Sequence, residues 1–396
     1  MWTARRVLAA AGLAEVLALA TWFSATATLP ALTRDWGLSG GEGAWLSGAV
    51  PAGFVAGSLL SALLNLPDRF EPGRLMALGA LGAAAANLVL LAADGLVLAL
   101  PARFATGLAL AAVYPPGMKL VTTWFKAGRG LAVGVVVGCL TLGSASPHLV
   151  RGLADPAWRG TVVATSAFAL LAALVAARLP QGPHAAPAPA VDLRYGVRAL
   201  RDRPLRLATF GYLGHMWELY AFWSWVAVFA AASLGAPSRA TVGVLAFAGI
   251  GLAGIAGAVG GGWLADRIGR TALTSGAMLL SGTCCLLSPL AFEAPAALLI
   301  ALLLVWGAAV IADSAQFSAA ATELAEPRFA GSALTLQVAL GFALTIVSIR
   351  LVPVVVGAAG WRWAFLPLAA GPALGAAAML RLRALPAAEA LAGGRR

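Results

Sequence analysis

The chain holds 396 residues, of which 61% are hydrophobic and only 11% charged. A water-soluble domain carries about 25% charged residues, so this composition excludes an ordinary soluble enzyme or binding module and makes the bilayer the solvent. The formal net charge of +11 would suggest nucleic acid in a soluble protein, but here the basic residues sit in short loops between apolar runs, which is a topology signal and leaves nucleic acid no expected role.

Apolar runs of about 20 residues recur along the chain, each able to cross roughly 30 Å of hydrocarbon as a helix. Alternating strands of the barrel type are absent, so an all-α membrane protein is expected. The first run, 8–30, follows Arg5 and Arg6 and resembles a secretory leader. Glu15 interrupts it and it continues to Pro30, so it is read as a retained span. Further spans are predicted at 43–65, 74–93, 96–118, 129–150 and 159–179. A polar connection, 181–204, opens Gln181-Gly-Pro-His-Ala-Ala-Pro, a solvated linker composition. It runs into Arg194, Arg198, Arg201, Arg203 and Arg206, expected to lie at the headgroups. Six more spans are predicted at 205–232, 240–264, 271–292, 295–317, 329–352 and 362–381. The division is therefore 1–180, linker 181–204, and 205–396 with a short tail.

With the N-terminus inside, twenty Lys and Arg residues fall in inside segments and six outside, with Arg103 alone in mid-span. That bias places both termini in the cytoplasm of a bacterial inner-membrane protein. Gly53/Gly57, Gly134/Gly138 and Gly257/Gly261 have the small-xxx-small spacing that lets helix backbones approach closely. Cys139, Cys284 and Cys285 lie inside apolar runs without metal-ligand spacing and read as packing residues. Asn87 and Gln337 read as helix–helix hydrogen bonders.

The halves repeat. Asp68-Arg69 after span 2 matches Asp266-Arg267 after span 8 at an offset of 198, and Trp158-Arg159 matches Trp361-Arg362 at 203. Parallel repeats of this kind build many transporters. Gly262-Trp-Leu-Ala-Asp266-Arg267-Ile-Gly269-Arg270 resembles the cytoplasmic signature of the major facilitator superfamily, Gly-x-x-x-Asp-Arg-x-Gly-Arg, at every fixed position. The first-half copy, Asp68-Arg69-Phe-Glu-Pro-Gly73-Arg74, carries two extra residues, and Leu64 replaces the leading glycine. Arg103-Phe-Ala-Thr-Gly107 resembles the superfamily's helix-4 signature, whereas the helix-5 signature of proton antiporters is not met. Tyr114-Pro-Pro-Gly-Met-Lys119 and His215-Met-Trp-Glu218-Leu-Tyr220 resemble a bacterial branch grouped with nitrate and cyanate permeases. Spans 2 and 8 lack the interior arginines with which nitrate porters hold their anion, so nitrate is not carried over.

The resemblance implies twelve helices in two six-helix bundles, with spans 1, 4, 7 and 10 around a central cavity. It also implies a gating role for Asp68, Arg69, Gly262, Asp266, Arg267, Gly269 and Arg270. Four ionisable residues fall near mid-membrane on those same spans: Glu15, Arg103, Glu218 and Asp313. An ionisable group at that depth costs at least about 2.5–3.5 kcal/mol and is a functional hypothesis by default. Glu218 is the first choice for a coupling-proton site, with His215 one turn earlier, and Asp313 and Glu15 as further members. Phe222 and Trp225 continue the Glu218 face, and these three residues, with Arg103, are expected to contact substrate. A structural Glu–His hydrogen bond and an aromatic packing stripe are the plain alternative.

The glycine-rich stretch Gly254–Gly262 lies within a span and lacks the ending of a phosphate-binding loop. No nucleophile–base set or metal-ligand cluster is seen, so no catalysis, cofactor or metal is expected. The expected function is proton-coupled movement of a small molecule, leaning to an organic anion, by alternating access in a monomer. The alternatives are drug or metabolite efflux and, in another class, a non-transporting sensor.

Overall fold

The computed structural model describes residues 2–125, 129–154, 157–185, 194, 200–235, 237–326 and 329–396. Among the described residues, twelve helical elements run alternately up and down. They are α1 (4–36, in pieces), α2 (Gly40–Leu63), α3 (Pro72–Ala92), α4 (Leu96–Thr122), α5 (Arg129–Ala154) and α6 (Trp158–Ala176). After the linker come α7 (Arg203–Ser233), α8 (Arg239–Ile268), α9 (Arg270–Ala291), α10 (Ala296–Leu324), α11 (Ala330–Ala359) and α12 (Trp361–Arg383). Among the described residues ten of these are long and apolar enough to cross a membrane. The other two are α1, which is interrupted, and α7, which is long enough but carries His215, Glu218 and several Tyr and Trp residues. Most of the linker lies outside the described residues.

Local chemistry sets the ends. Ser39 and Glu42 form a reciprocal capping box at the start of α2. The Asp202 carboxylate accepts from Leu205 N at 3.1 Å to open α7. Gly269 (φ 94°) makes the turn between α8 and α9, a left-handed position that favours glycine.

Helix pairing repeats with a step of six. In the first half α1 packs on α5 and α6, α2 on α4, and α3 on α4 and α6. In the second half α7 packs on α11 and α12, α8 on α10, and α9 on α10 and α12. The halves meet along α2–α11 and α5–α8. Glycines make the closest crossings. A Cβ at Gly53 or Gly57 would run into the α4 carbonyls of Phe104 and Leu108, and one at Gly257 or Gly261 into the α10 carbonyls of Ala308 and Ala312. Gly134 and Gly138 serve the α5–α8 seam, against Ala258 and Ile255.

Spans expected to be continuous are broken in several places, three of them deep in the bundle. α1 stops at Leu19 and resumes at Ser24; α4 turns at 111–113; α10 turns at Asp313. The breaks in α4 and α10 occupy corresponding places in the two halves. The break in α1 is held by a side chain described below.

Gly53→Leu or Gly257→Leu should remove most of the folded protein, because neither backbone can retreat. Gly260→Ala, where a Cβ meets nothing within 4 Å, should be neutral or stabilising by up to about 1 kcal/mol. Thermal unfolding of purified protein in detergent checks both.

Candidate functional site

A cavity of about 350 Å³ lies between the halves, walled by α2, α4, α5, α7, α10 and α11. Its polar lining comes from Ser58, Ser61, Asn65, Tyr114, Lys119, Tyr212, Tyr220, Ser314, Ser318 and Thr335. Lys119 is the one formally charged residue in that lining. The cavity reaches the end of the bundle where α2 and α4 finish and α11 begins, at Asn65, Lys119 and Gly331. Both chain termini lie at that end, since twelve alternating helices return the chain to its starting side.

At its deep end the cavity is closed by aromatic rings from both halves. Trp22 of α1 meets Phe54 at 5.4 Å, Tyr220 at 5.4 Å and Phe342 at 5.9 Å between ring centroids. Phe54 and Phe342 meet at 4.6 Å. Beyond this cluster, toward the opposite end, lies a second cavity of about 240 Å³ bounded by Thr26, His148, Arg151 and Arg239.

Arg103 is fully buried in α4, and it faces the break in α1 rather than the cavity. One nitrogen donates to Thr21 O at 2.9 Å, Ser24 Oγ at 3.0 Å and Asn87 Oδ1 at 3.2 Å; the other donates to Trp22 O. It thereby satisfies carbonyls that the interrupted helix leaves without partners. Asn87 extends the network, accepting from Ser24 Oγ at 2.6 Å and donating to Val162 O, Thr165 Oγ1 and Ser166 Oγ on α6. The expectation of substrate contact at Arg103 meets a side chain with no cavity exposure and, among the described residues, no carboxylate beside it. Glu15 is also fully buried, packed toward Gly117 of α4, with neither oxygen hydrogen-bonded among the described residues.

Glu218 faces inward to its own half. It accepts from Ser281 Oγ at 2.8 Å, Cys285 Sγ at 3.2 Å and Trp306 Nε1 at 2.5 Å. Phe222 stacks on Trp306 at 4.4 Å, and Trp225 Nε1 donates to Ile349 O at 2.9 Å. The stripe His215, Glu218, Phe222, Trp225 is thus real but points into the second bundle. The neighbouring stripe Tyr212, Met216, Leu219, Tyr220 lines the cavity. His215 does not pair with Glu218: its Nδ1 lies 2.8 Å from Asp313 Oδ1, both groups buried. Asp313 sits in the α10 break, between the cavity residues Ile311 and Ser314. Reading the residues missed Ser281, Cys285 and Trp306 as partners of Glu218. Nothing in an apolar helix marks which of its small polar residues meets a distant carboxylate.

The signature segment lies at the termini end. Arg270 holds Glu323 through two bonds of 2.7 and 2.5 Å and Gln316 Oε1 at 2.6 Å, tying α9 to α10. Arg267 lies over the Trp263 ring at 3.6 Å. Asp266 is exposed; its carbonyl accepts from Arg395, and no arginine faces its carboxylate among the described residues. Gly262 is buried in α8. Arg69 is exposed, and the side chain of Asp68 lies outside the described residues.

Arg103→Ala strips donors from the Thr21 and Trp22 carbonyls. A buried unpaired carbonyl costs about 1–3 kcal/mol, so the melting temperature in detergent should fall by several degrees. Arg103→Lys, which lacks the planar fork, should recover only part of the loss. An unchanged melting temperature for Arg103→Ala would mean that the break stands without it.

Known proteins bear on this arrangement in three ways. No curated protein sequence matches the chain. A solved structure described as a bacterial homolog to the human lysosomal transporter Spinster, in an inward-facing and unoccupied conformation, shares the fold. It aligns at TM-score 0.73 over 96% of this chain and 97% of that one, at 14% sequence identity. The sequence pattern of the Major Facilitator Superfamily matches residues 11–348. With twelve alternating helices and a cavity between their halves, the chain is a multi-pass membrane protein that belongs to the major facilitator superfamily of secondary transporters.

Proposed function

We propose that this transporter carries a small amphipathic organic anion, coupled to protons, and that the structure corresponds to its inward-facing state. The observation that carries the reading is the central cavity, open at the termini end, with Lys119 its one formal charge among otherwise aromatic and hydroxyl-bearing walls. The Lys and Arg bias of the loops supports a cytoplasmic placement of that end. Support for an anion thus rests on Lys119 rather than on Arg103. The exposed Asp266, with no arginine on its carboxylate among the described residues, suits a signature latch that is released when the cytoplasmic side is open.

Coupling is best assigned to the His215–Asp313 pair. It lies directly behind the wall formed by Tyr212, Ile311 and Ser314. A proton delivered there would alter the His215–Asp313 contact at the α10 break, where one helix changes course, and so bias one state over the other. Glu218, one turn along α7, is a second titratable group in the same half. Efflux of lipophilic compounds is the competing reading, favoured by the rings of Phe54, Tyr212, Tyr220 and Phe342 around the cavity.

A thermal-shift screen of the purified protein against organic anions and lipophilic cations separates the two, since a ligand of the folded state raises its melting temperature. Carboxylates should stabilise the protein, with affinity falling about tenfold in Lys119→Gln. Stabilisation by lipophilic cations, indifferent to Lys119→Gln, would instead establish efflux.

In proteoliposomes, Asp313→Asn should abolish the acceleration of flux by a pH gradient while leaving substrate–substrate exchange within about threefold of wild type. Retained acceleration would remove the pair from the coupling path.

A further inference from the structure

A groove of about 680 Å³ runs along the flank of the second half, between α7 and α12, away from the central cavity. Arg203, Arg206 and Arg381 stand at its termini end. None of the three guanidinium groups has an ion pair or hydrogen bond among the described residues. Three positive charges thus line one end of one groove. From there the walls are apolar and small: Leu207, Phe210, Gly214, Leu374 and Ala377, closed at the top by Trp217. Phe210 is 50% and Leu374 72% exposed, so the groove faces the surroundings rather than the protein interior.

The depth of the groove comes from glycine. A Cβ at Gly214 would meet the Gly371 carbonyl and the Gly375 backbone, so α7 and α12 cross at backbone contact and leave a trough beside the crossing. From Arg206 to Trp217 the helix rises about 16 Å at about 1.5 Å per residue. That is close to half of the roughly 30 Å hydrocarbon core.

We infer that this groove binds one anionic phospholipid, its phosphate held by Arg203, Arg206 and Arg381 and an acyl chain laid along the apolar trough. A guanidinium presents paired donors matched to phosphate oxygens, and three of them at the headgroup level of a membrane helix select negative charge. The trough spans one leaflet's depth, which a free phosphate would leave empty. The arginines that begin α7 therefore do more than set topology.

Native mass spectrometry of the full-length protein in detergent tests this, with phosphatidylglycerol, phosphatidylethanolamine and inorganic phosphate as probes. Phosphatidylglycerol should occupy the protein about tenfold or more over phosphatidylethanolamine. Combined Arg203→Gln, Arg206→Gln and Arg381→Gln should abolish that preference. Ala377→Trp, which fills the trough without touching a charge, should reduce binding of both lipids. Arg178→Gln, at the same end but outside the groove, should change nothing. If the triple variant does not fold, Arg206→Gln and Ala377→Trp carry the same comparison. Equal binding of the two lipids by the wild type would overturn the assignment, as would a preference that survives the arginine and trough variants. Displacement of phosphatidylglycerol by millimolar phosphate would do so too, by assigning the site to a free anion.

Discussion

The interior of the first half depends on the fork of Arg103 closing over the interrupted α1. In a membrane, carbonyls that leave a helix cannot turn to water, and each must find a donor inside the protein. Arg103 supplies donors to Thr21 and Trp22 from the neighbouring helix, and Asn87 fixes the arrangement to α3 and α6. With the break held, Trp22 can stand out from α1 and meet Phe54, Tyr220 and Phe342. The buried charge thus acts at one remove: it positions the backbone that presents the ring that closes the cavity.

The second half solves a related problem with different parts. α7 is continuous, so it needs no arginine. In its place Glu218 gathers donors from α9 and α10, and His215 reaches Asp313 at the α10 break. Around these polar centres the glycine crossings of α2 on α4 and α8 on α10 keep each half stiff. The seams between halves run along α2–α11 and α5–α8. Stiff halves with separate polar centres suit movement as two bodies about the cavity between them.

Much of the architecture was legible in the residues because spans, loop charges and the Gly262–Arg270 segment are each local signals. The paired glycines were legible too, since their spacing means the same thing wherever the helix lies. Helix facing was not. A soluble helix shows its buried side by contrast with a polar one, but on α7 apolar and aromatic residues occupy every face. His215, Glu218, Phe222 and Trp225 formed a valid stripe whose direction no residue disclosed. The breaks differ among themselves. Pro115 and Pro116 follow the turn in α4 and could have announced it, because a residue before proline leaves the helical region. Ala20-Thr21-Trp22-Phe23 carries neither glycine nor proline, and its interruption depends on Arg103, more than eighty positions away in the chain.

The aromatic closure has a consequence for the two sides of the membrane. With Phe23 and Trp223, which extend the cluster, five ring pairs join the halves: Trp22 with Tyr220 and Phe342, Phe23 with Tyr220 and Trp223, and Phe54 with Phe342. At about 0.5–1.5 kcal/mol each, separating them costs about 2.5 kcal/mol or more. Unless new contacts offset that cost, about one molecule in a hundred or fewer is open at the far end without ligand. A solute arriving there sees its intrinsic affinity diluted by that fraction, whereas one arriving at the termini end meets a site already formed. Two faces of one site would then show apparent dissociation constants about a hundredfold apart, with no difference in the contacts made to the solute.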